Sequence, residues 1–492
     1  MSVLDWFRPK KEVPKQGKRN FGAARINRLT SDWATMPRPA NAQLRYDLPV
    51  LIARARELAK NDDYVRRFLQ LAKCNVVGPT GISIQSRAVN NDGNPDMSGN
   101  AGIEAAFAEW ARPGMCELTG MLSWVQCQNM ALETTLRDGE VFVRMWQGAD
   151  VNRFGMALEF VDPMRVDHRH NEELRNGNKI HMGVEVDRRG RPVAYHLRPT
   201  PKDISHYYEY SGPRERVPAN EMLHIFLPEL IDQNRGYSPM VSAMLRLQML
   251  KGYEEAELVA ARTGAAKMGF FERNEDGVGF QGDEVDEMGD IEMDAEPGSL
   301  TTLPNGVKFT PWDPSHPTTA YGEFVKSVLR GVASGLGVSY NSLANDLEGV
   351  NFSSIRAGVL EDREAWKAMQ HMMIERFCRP VYERWVNMAL MRGAIQPIGA
   401  TGMLNPLPYT DRNIVKFSQA SYQGRRWAWV DPMKDIQAAE KAVMLGVKSL
   451  SSIIRDMGGE PEDVWQEIRQ ERARMQELGV TPQETLNALA NE

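Results

Sequence analysis

Hydrophobic spacing divides the chain into helical and extended stretches. Leu51, Ile52, Ala55, Leu58 and Ala59 recur at three-to-four spacing, and Tyr64, Val65, Phe68, Leu69 and Ala72 resume the stripe after Asn61-Asp62. Such spacing puts the apolar positions on one helical face, so two consecutive helices are expected, capped between and ending at Gly78-Pro79. Two more are expected over about 101–111 and 121–137. From Gly139 the period drops to two. Val141, Val143 and Met145 share one face of a strand, and Met156, Leu158 and Phe160 one face of the next. Val184/Val186 and Val193/Tyr195/Leu197 flank the turn Asp187 to Gly190 as a hairpin, in a β-rich patch that ends near Phe226.

Beyond Phe226 the helical period returns. Ser238-Pro239 reads as an N-cap followed by Pro at the first helical position, where a missing amide proton is tolerated. Met240, Met244, Leu247, Leu250, Leu258 and Val259 carry this helix towards Lys267. An acidic segment bounded by prolines fills 268–318, with a short strand expected at Val307 to Thr310. A helix from about Thr319 is closed by Gly337, and a loop then runs from Val338 to Asn351. The longest helical pattern, Ser353 to Arg392, carries Ile355, Val359, Trp366, Met369, Met373, Phe377, Val381 and Trp385 on a broad apolar face. Pro380 is expected to kink it, because proline removes an amide donor and crowds the preceding turn. Residues 393–492 read as short helices punctuated by Asp431-Pro432, Gly446 and Gly458-Gly459, with a charged helix over Pro461 to Leu478. Thr481-Pro482-Gln483-Glu484 forms a capping box after it. Residues 1–40, with Pro9, Pro14, Pro37 and Pro39, read as a basic flexible arm. The sum is an α+β chain, mainly helical.

Charge adds a second layer. The 492 residues carry 59 Lys+Arg and 65 Asp+Glu, a formal net charge of −6 that speaks against a surface gripping nucleic acid throughout. The average conceals two opposite segments: residues 1–28 hold eight Lys/Arg and two Asp/Glu, whereas 272–296 hold eleven Asp/Glu and one Arg. The remainder is nearly neutral. The 4 cysteines, Cys74, Cys116, Cys127 and Cys378, make no C-x-x-C pair, so reduced structural thiols in a cytoplasmic setting are expected. The N-terminal stretch lacks an apolar leader, and no run approaches the roughly 18 apolar residues of a membrane span.

Signatures of catalysis are missing: G-x-x-x-x-G-K-[ST], H-E-x-x-H, G-x-S-x-G and G-x-G-x-x-G between strand and helix do not occur. Neither an enzymatic activity nor a cofactor is expected. Asp162, Asp167, His168 and His170 could offer imidazole and carboxylate to a metal. A polar turn is the better reading, because His168 and His170, two apart, suit ligation only on a strand. Gly331, Gly335 and Gly337 follow no strand, so they suggest close helix packing rather than a phosphate loop. The carboxylates of 272–296 lack a calcium-loop register, which favours a docking or solvated surface.

Several local strings have a specific joint order. They are Arg54-Ala55-Arg56-Glu57-Leu58, Asn61-Asp62-Asp63-Tyr64, Asn75-Val76-Val77-Gly78, Arg235-Gly236-Tyr237-Ser238-Pro239, Gly335-Leu336-Gly337-Val338-Ser339-Tyr340, Asn351-Phe352-Ser353-Ser354 and Trp429-Val430-Asp431-Pro432-Met433-Lys434-Asp435. From about residue 20 to 485 the chain resembles the lambda-type family of tailed-phage portal proteins. The resemblance implies a ring, usually of twelve subunits, at one capsid vertex, through which double-stranded DNA is packaged and ejected. It implies a wing over 40–236 with the long helix 353–392, stem helices over 238–267 and 319–337, and a clip over 268–318. It also implies a tunnel loop over 338–352 and a helical crown over 393–492.

On that resemblance, Arg246, Arg262, Lys326 and Arg330 are candidate phosphate-facing stem residues; the alternative is salt bridges to Glu254, Glu255, Glu257 or Glu323. Asn345, Asp346, Leu347, Glu348, Gly349, Val350 and Asn351 would touch DNA or close the channel. Asp283, Glu284, Asp286, Glu287, Asp290 and Glu292 would dock basic surfaces of the terminase large subunit and later of head-completion or adaptor proteins. Major capsid or scaffold protein is a further implied partner. The implied location is the virion, after assembly in the host cytoplasm. Competing readings are a metal-dependent nuclease using Asp283 or His170, and a monomeric minor capsid adaptor.

Overall fold

The computed structural model describes residues 26, 28, 30–199, 213–265, 269–273, 307–311, 320–348, 352–398, 405–427, 432–457, 459 and 461–478. The expected helix pair is α1 (Ala40–Asn61) and α2 (Asp63–Ala72). Asp62 separates them, its carboxylate accepting from the Val65 amide at 2.9 Å. A π-helical turn, Lys73–Val77, buries Val76 and Val77 and stops at Gly78, whose φ of 73° only glycine adopts without strain. After β1 (Ser83–Ser86), α3 (Met97–Trp110) starts earlier than its apolar stripe because Asp96 caps the Gly99 amide. The next helix, α4 (Trp124–Asp138), starts later than expected because Ser123 and Gln126 form a capping box.

β2 (Glu140–Gln147) is the centre of an antiparallel sheet with β3 (Met156–Val161) and β9 (Met222–Phe226). Period two is correct for it, yet both of its faces are covered. Val141, Val143 and Met145 join the large helical core, while Phe142 packs with Val184, Tyr195, Leu197 and Val217 of a second core. That second core belongs to an antiparallel meander: β4 (Glu172–Glu173), β5 (Lys179–His181), β6 (Val184–Val186), β7 (Pro192–Leu197) and β8 (Glu215–Pro218).

α5 (Val241–Ala265) and α6 (Ala320–Leu336) pack together, joined beyond their ends by the antiparallel pair β10 (Gly269–Arg273) and β11 (Val307–Pro311). α5 begins at Val241, two residues after the expected first position Pro239, and the expected cap Ser238 accepts the Met240 amide while also bonding α4, as described below. α7 (Tyr340–Ala344) replaces the first part of the expected loop 338–351 with a helical turn, capped by Ser339.

The long helical pattern resolves into α8 (Phe352–Met373), a π-helical turn Ile374–Cys378, and α9 (Arg379–Met391). The wide turn places Pro380 in the first turn of α9, where its missing amide is not needed. α10 (Asp411–Phe417) and β12 (Ala420–Gln423) follow, and β12 returns to pair with β1. α11 (Pro432–Met444), α12 (Leu450–Asp456) and α13 (Pro461–Leu478) match the expected short and charged helices. The capping box at Thr481 and the N-terminal arm through residue 25 lie outside the described residues. The architecture is α+β and mainly helical.

Aromatic contacts weld distant segments of the core. Phe107 meets Trp385 edge-on at 5.0 Å, Trp124 stacks on Phe377 at 5.1 Å, and the buried Trp110 indole donates to the Met156 carbonyl at 2.8 Å. Thus α3, α4 and the α8–α9 region share one interior.

Candidate functional site

The α5/α6 pair leaves the sheet through Arg235-Gly236-Tyr237-Ser238-Pro239. Arg235 is fully buried, and its guanidinium donates to Glu140 Oε1 at 2.7 Å and to the carbonyls of Pro163, Val166 and Met182 at 3.0, 3.2 and 2.6 Å. Glu140 Oε2 accepts the Gly236 amide at 2.8 Å and faces His224 Nε2 at 2.9 Å. Burial alone would raise the Glu140 carboxyl. The Arg235 charge and the His224 hydrogen bond overcome it and hold the group at about 2. Burial also holds His224 below its ordinary value, so this imidazole is the neutral donor to Glu140. Gly236 and Gly139 permit the close approach: a Cβ on Gly236 would lie 2.2 Å from the Gly139 carbonyl oxygen, and one on Gly139 2.2 Å from the Tyr237 backbone. Ser238 then donates to the Leu136 carbonyl at 2.7 Å and accepts the Met240 amide at 3.2 Å. The base of α5 is therefore fixed to α4 and to β2.

Arg56, from the first of the strings, serves the same block. It donates to Asp138 at 3.1 and 2.8 Å and to Asp162 at 2.8 Å.

Within the pair, Ser242 donates to the Gly335 carbonyl at 3.0 Å. A Cβ on Gly331 would fall 1.6 Å from Arg246 Nη1, so the absent side chain is what seats that guanidinium against α6. Close packing is the role these two glycines fill. Gly337, with φ 68°, ends α6. Tyr253 of α5 stacks on Tyr321 at 5.9 Å and meets Phe324 edge-on at 4.8 Å.

The four candidate cations divide between the helices. Arg246 and the exposed Arg262 lie on α5, Lys326 and Arg330 on α6. The alternative to phosphate contact, a salt bridge to Glu254, Glu255, Glu257 or Glu323, takes a different form at Lys326, whose ammonium pairs with Asp346 at 3.4 Å. Arg330 lies 5.6 Å from the Tyr340 ring centroid. Tyr340 donates its hydroxyl to Asp346 at 2.8 Å, and the Glu348 amide donates to the same carboxylate at 3.0 Å. These hydrogen bonds, with the Lys326 charge, hold the Asp346 carboxyl below its ordinary value. Asn345 adopts a left-handed φ of 54°, and Leu347 and Glu348 are exposed. Ser339 and Ser342 fasten α7 to α8 through Asp362, at 2.7 and 3.0 Å. Gly349, Val350 and Asn351 lie outside the described residues, as do Asp283, Glu284, Asp286, Glu287, Asp290 and Glu292.

The His/Asp cluster is held by protein partners. Asp162 accepts from Arg56 and from the Met164 amide, and Asp167 bonds Arg198 and, at 2.7 Å, Arg214. Burial opposes ionisation of Asp167, but the two arginines bring its carboxyl to about 2. Burial pushes His168 down to about 4. His170 faces Glu172 at 3.2 Å, and its amide closes a turn onto the Asp167 carbonyl at 2.9 Å. A metal here would have to displace arginines from Asp167. Among the described residues no His/Cys/Asp/Glu group has the geometry of a metal site. Nor is any described helix long and apolar enough to cross a membrane.

No local pattern marks Glu140, His224 or Asp362, because each gains its partner from a distant element; Tyr340 lies in one of the ordered strings, which gave no sign of its bond to Asp346. The Arg235 string was visible, but its role as a buried anchor was not.

A helix-rich α+β chain with a paired-helix projection anchored on a sheet is the class of molecule these features define. The model of the phage portal protein, lambda family, matches residues 27–370, and the chain belongs to that family, whose members are structural, non-enzymatic capsid components. Among its relatives, the probable portal protein of Halomonas phage phiHAP-1 is 35% identical over 468 residues, covering 94% of this chain and 88% of the relative. Portal protein B of Escherichia phage lambda is 22% identical over 476 residues, with 87% and 84% covered. The portal protein of Escherichia phage N15 is 21% identical over 476 residues, with 87% and 85% covered. Among solved structures, a chain from the neck of the native GTA particle computed with C12 symmetry aligns at a TM-score of 0.44 and 12% identity, over 85% of this chain and 94% of that one.

Proposed function

We propose that about twelve copies of this portal chain close into a ring at one capsid vertex, with the α5/α6 pair of each copy standing around a channel for double-stranded DNA. The observation that carries this reading is that α5 is apolar on two faces. Ala243, Met244, Leu247 and Leu250 are buried within the chain. On another face Leu245, Met249, Gly252, Ala256 and Val259 recur at the three-to-four spacing of a helix–helix seam, and all are exposed. Leu245 is 73% exposed and Met249 69%; with Tyr253, Phe324 and Val328 they line a groove of about 590 Å³. A second apolar face left exposed on a helix calls for a covering surface, and a neighbouring copy supplies one.

In this reading 40–236 and 353–392 form the wing, 268–318 the clip, 338–352 the tunnel loop and 393–492 the crown. The acidic clip docks the terminase large subunit during packaging and head-completion proteins afterwards, while the outer body meets capsid or scaffold protein. The ring is assembled in the host cytoplasm and remains in the virion. The near-neutral body suits a conduit, since dense cationic contacts would retard a moving duplex. Native mass measurement with negative-stain imaging of the purified chain tests the ring: closed particles near twelve copies are expected, and a monomer at every concentration and salt would overturn it.

A further inference from the structure

We infer that Lys326, Arg330 and Tyr340 form a seat for a DNA phosphate, which the Asp346 carboxylate occupies in the DNA-free chain. This deepens the channel reading and rests on it. The ammonium of Lys326 and the hydroxyl of Tyr340 converge on one oxygen, Asp346 Oδ2, at 3.4 and 2.8 Å. Arg330, one helical turn beyond Lys326, lies 5.6 Å from the Tyr340 ring centroid, so its positive charge acts on the tyrosine that completes the seat. An ammonium, a guanidinium and a tyrosine hydroxyl are donors that proteins direct at phosphate oxygens. The donors come from α6 and α7, and the occupant is from the turn that follows, so the seat is assembled from separate elements rather than from one helix face.

Two features make Asp346 displaceable. Its other oxygen, Oδ1, accepts the Glu348 amide at 3.0 Å, so the turn retains a bond when Oδ2 is released. The ion pair is partly solvated, with side-chain exposures of 35% for Lys326 and 19% for Asp346, and pairs in such settings break at little cost. A passing phosphate therefore exchanges one anion for another, and Lys326 is neutralised before and after. The channel wall presents this lysine only where DNA is present, which limits the drag of permanent cationic contacts. Glu323, one turn before Lys326 on α6 and acting on Tyr340, keeps the surroundings acidic between contacts.

The test uses the assembled ring of the full chain and a short labelled duplex, titrated with salt. Asp346→Asn should bind the duplex about fivefold tighter at low salt, with a log–log salt slope steeper by about one, because the phosphate contact of Lys326 is no longer offset by the release of a carboxylate. Lys326→Gln combined with Asp346→Asn should show neither gain. Asp346→Ser, whose hydroxyl can still accept the Glu348 amide, provides the same reading should the asparagine variant assemble poorly. Inorganic phosphate should erase the gain more effectively than chloride at matched ionic strength; equal loss in both would overturn a phosphate seat. Stabilisation of the ring by inorganic phosphate with unchanged duplex binding would overturn the DNA assignment. Unchanged affinity and slope in the Asp346 variants, in rings that do bind duplex, would overturn the seat and leave the channel intact. Rings that bind no duplex in any form would overturn both.

Discussion

Arg235 shows how much one residue decides in this chain. Its guanidinium satisfies the Glu140 carboxylate, two carbonyls of the Pro163–Val166 turn and that of Met182, in a position with no access to water. Arg235→Ala would leave a buried carboxylate without its cation, a loss of about 3–5 kcal/mol for such pairs. We expect a lowered urea midpoint, and no rescue by Arg235→Lys, since a single ammonium cannot span the four acceptors. Acid sensitivity follows from the same chemistry. Glu140 and Asp167 are both held near 2, below ordinary carboxylates, so the unfolded chain takes up protons first as pH falls. Their stabilisation is complete above about pH 5 and is lost progressively as pH falls through the folded values. His168, at about 4 against 6.5 in the unfolded chain, works in the same direction but from higher pH, because the unfolded imidazole charges while the buried one does not. The thermal midpoint should therefore begin to fall below about pH 6.5, and His168→Phe should reduce that upper part of the decline without abolishing it, since burial also holds His181, His196 and His224 below their ordinary values, while leaving the lower part.

At the scale of elements, glycine marks where backbones touch, and the consequences differ by neighbour. A Cβ on Gly236 meets backbone at 2.2 Å, which cannot yield. One on Gly335 meets side chain instead, the Ser242 hydroxyl oxygen at 3.1 Å with Ser242 Cβ and Ala243 Cβ at 3.7 Å, which can. Gly236→Ala should therefore abolish soluble folded protein or lower its thermal midpoint severely, whereas Gly335→Ala should fold and shift the midpoint by a few degrees at most. The π-helical turn Ile374–Cys378 makes a related point: an extra residue in one turn lets Pro380 sit where a helix start tolerates it, so the proline costs no hydrogen bond of α9.

For the whole molecule the exposed seam of α5 matters most. Leu245→Asp with Met249→Asp places charge on two side chains that are 73% and 69% exposed at the α5/α6 groove, so the subunit should keep its circular-dichroism spectrum and most of its thermal midpoint. Ring formation should fail, giving monomers by native mass measurement. Retained rings would mean that another surface closes the assembly.

Much of this was legible in the sequence, and the physical reason is local. Helix and strand periods depend on which face of one element is apolar, so α1, α2, β2, β3, the β6–β7 hairpin and α6 could be read from spacing and caps alone. The opposed charges of the arm and the 272–296 segment, and the ordered strings, are likewise properties of the chain as written. What the tertiary structure decided is everything that needs two distant segments at once. Only the fold could show that β12 pairs with β1, that Phe142 is covered on the far face of β2, that Lys326 meets Asp346 rather than Glu323, and that Arg235 is an anchor inside the protein. Pairing between distant residues depends on how the chain folds back on itself, and no spacing within a single helix or strand encodes it.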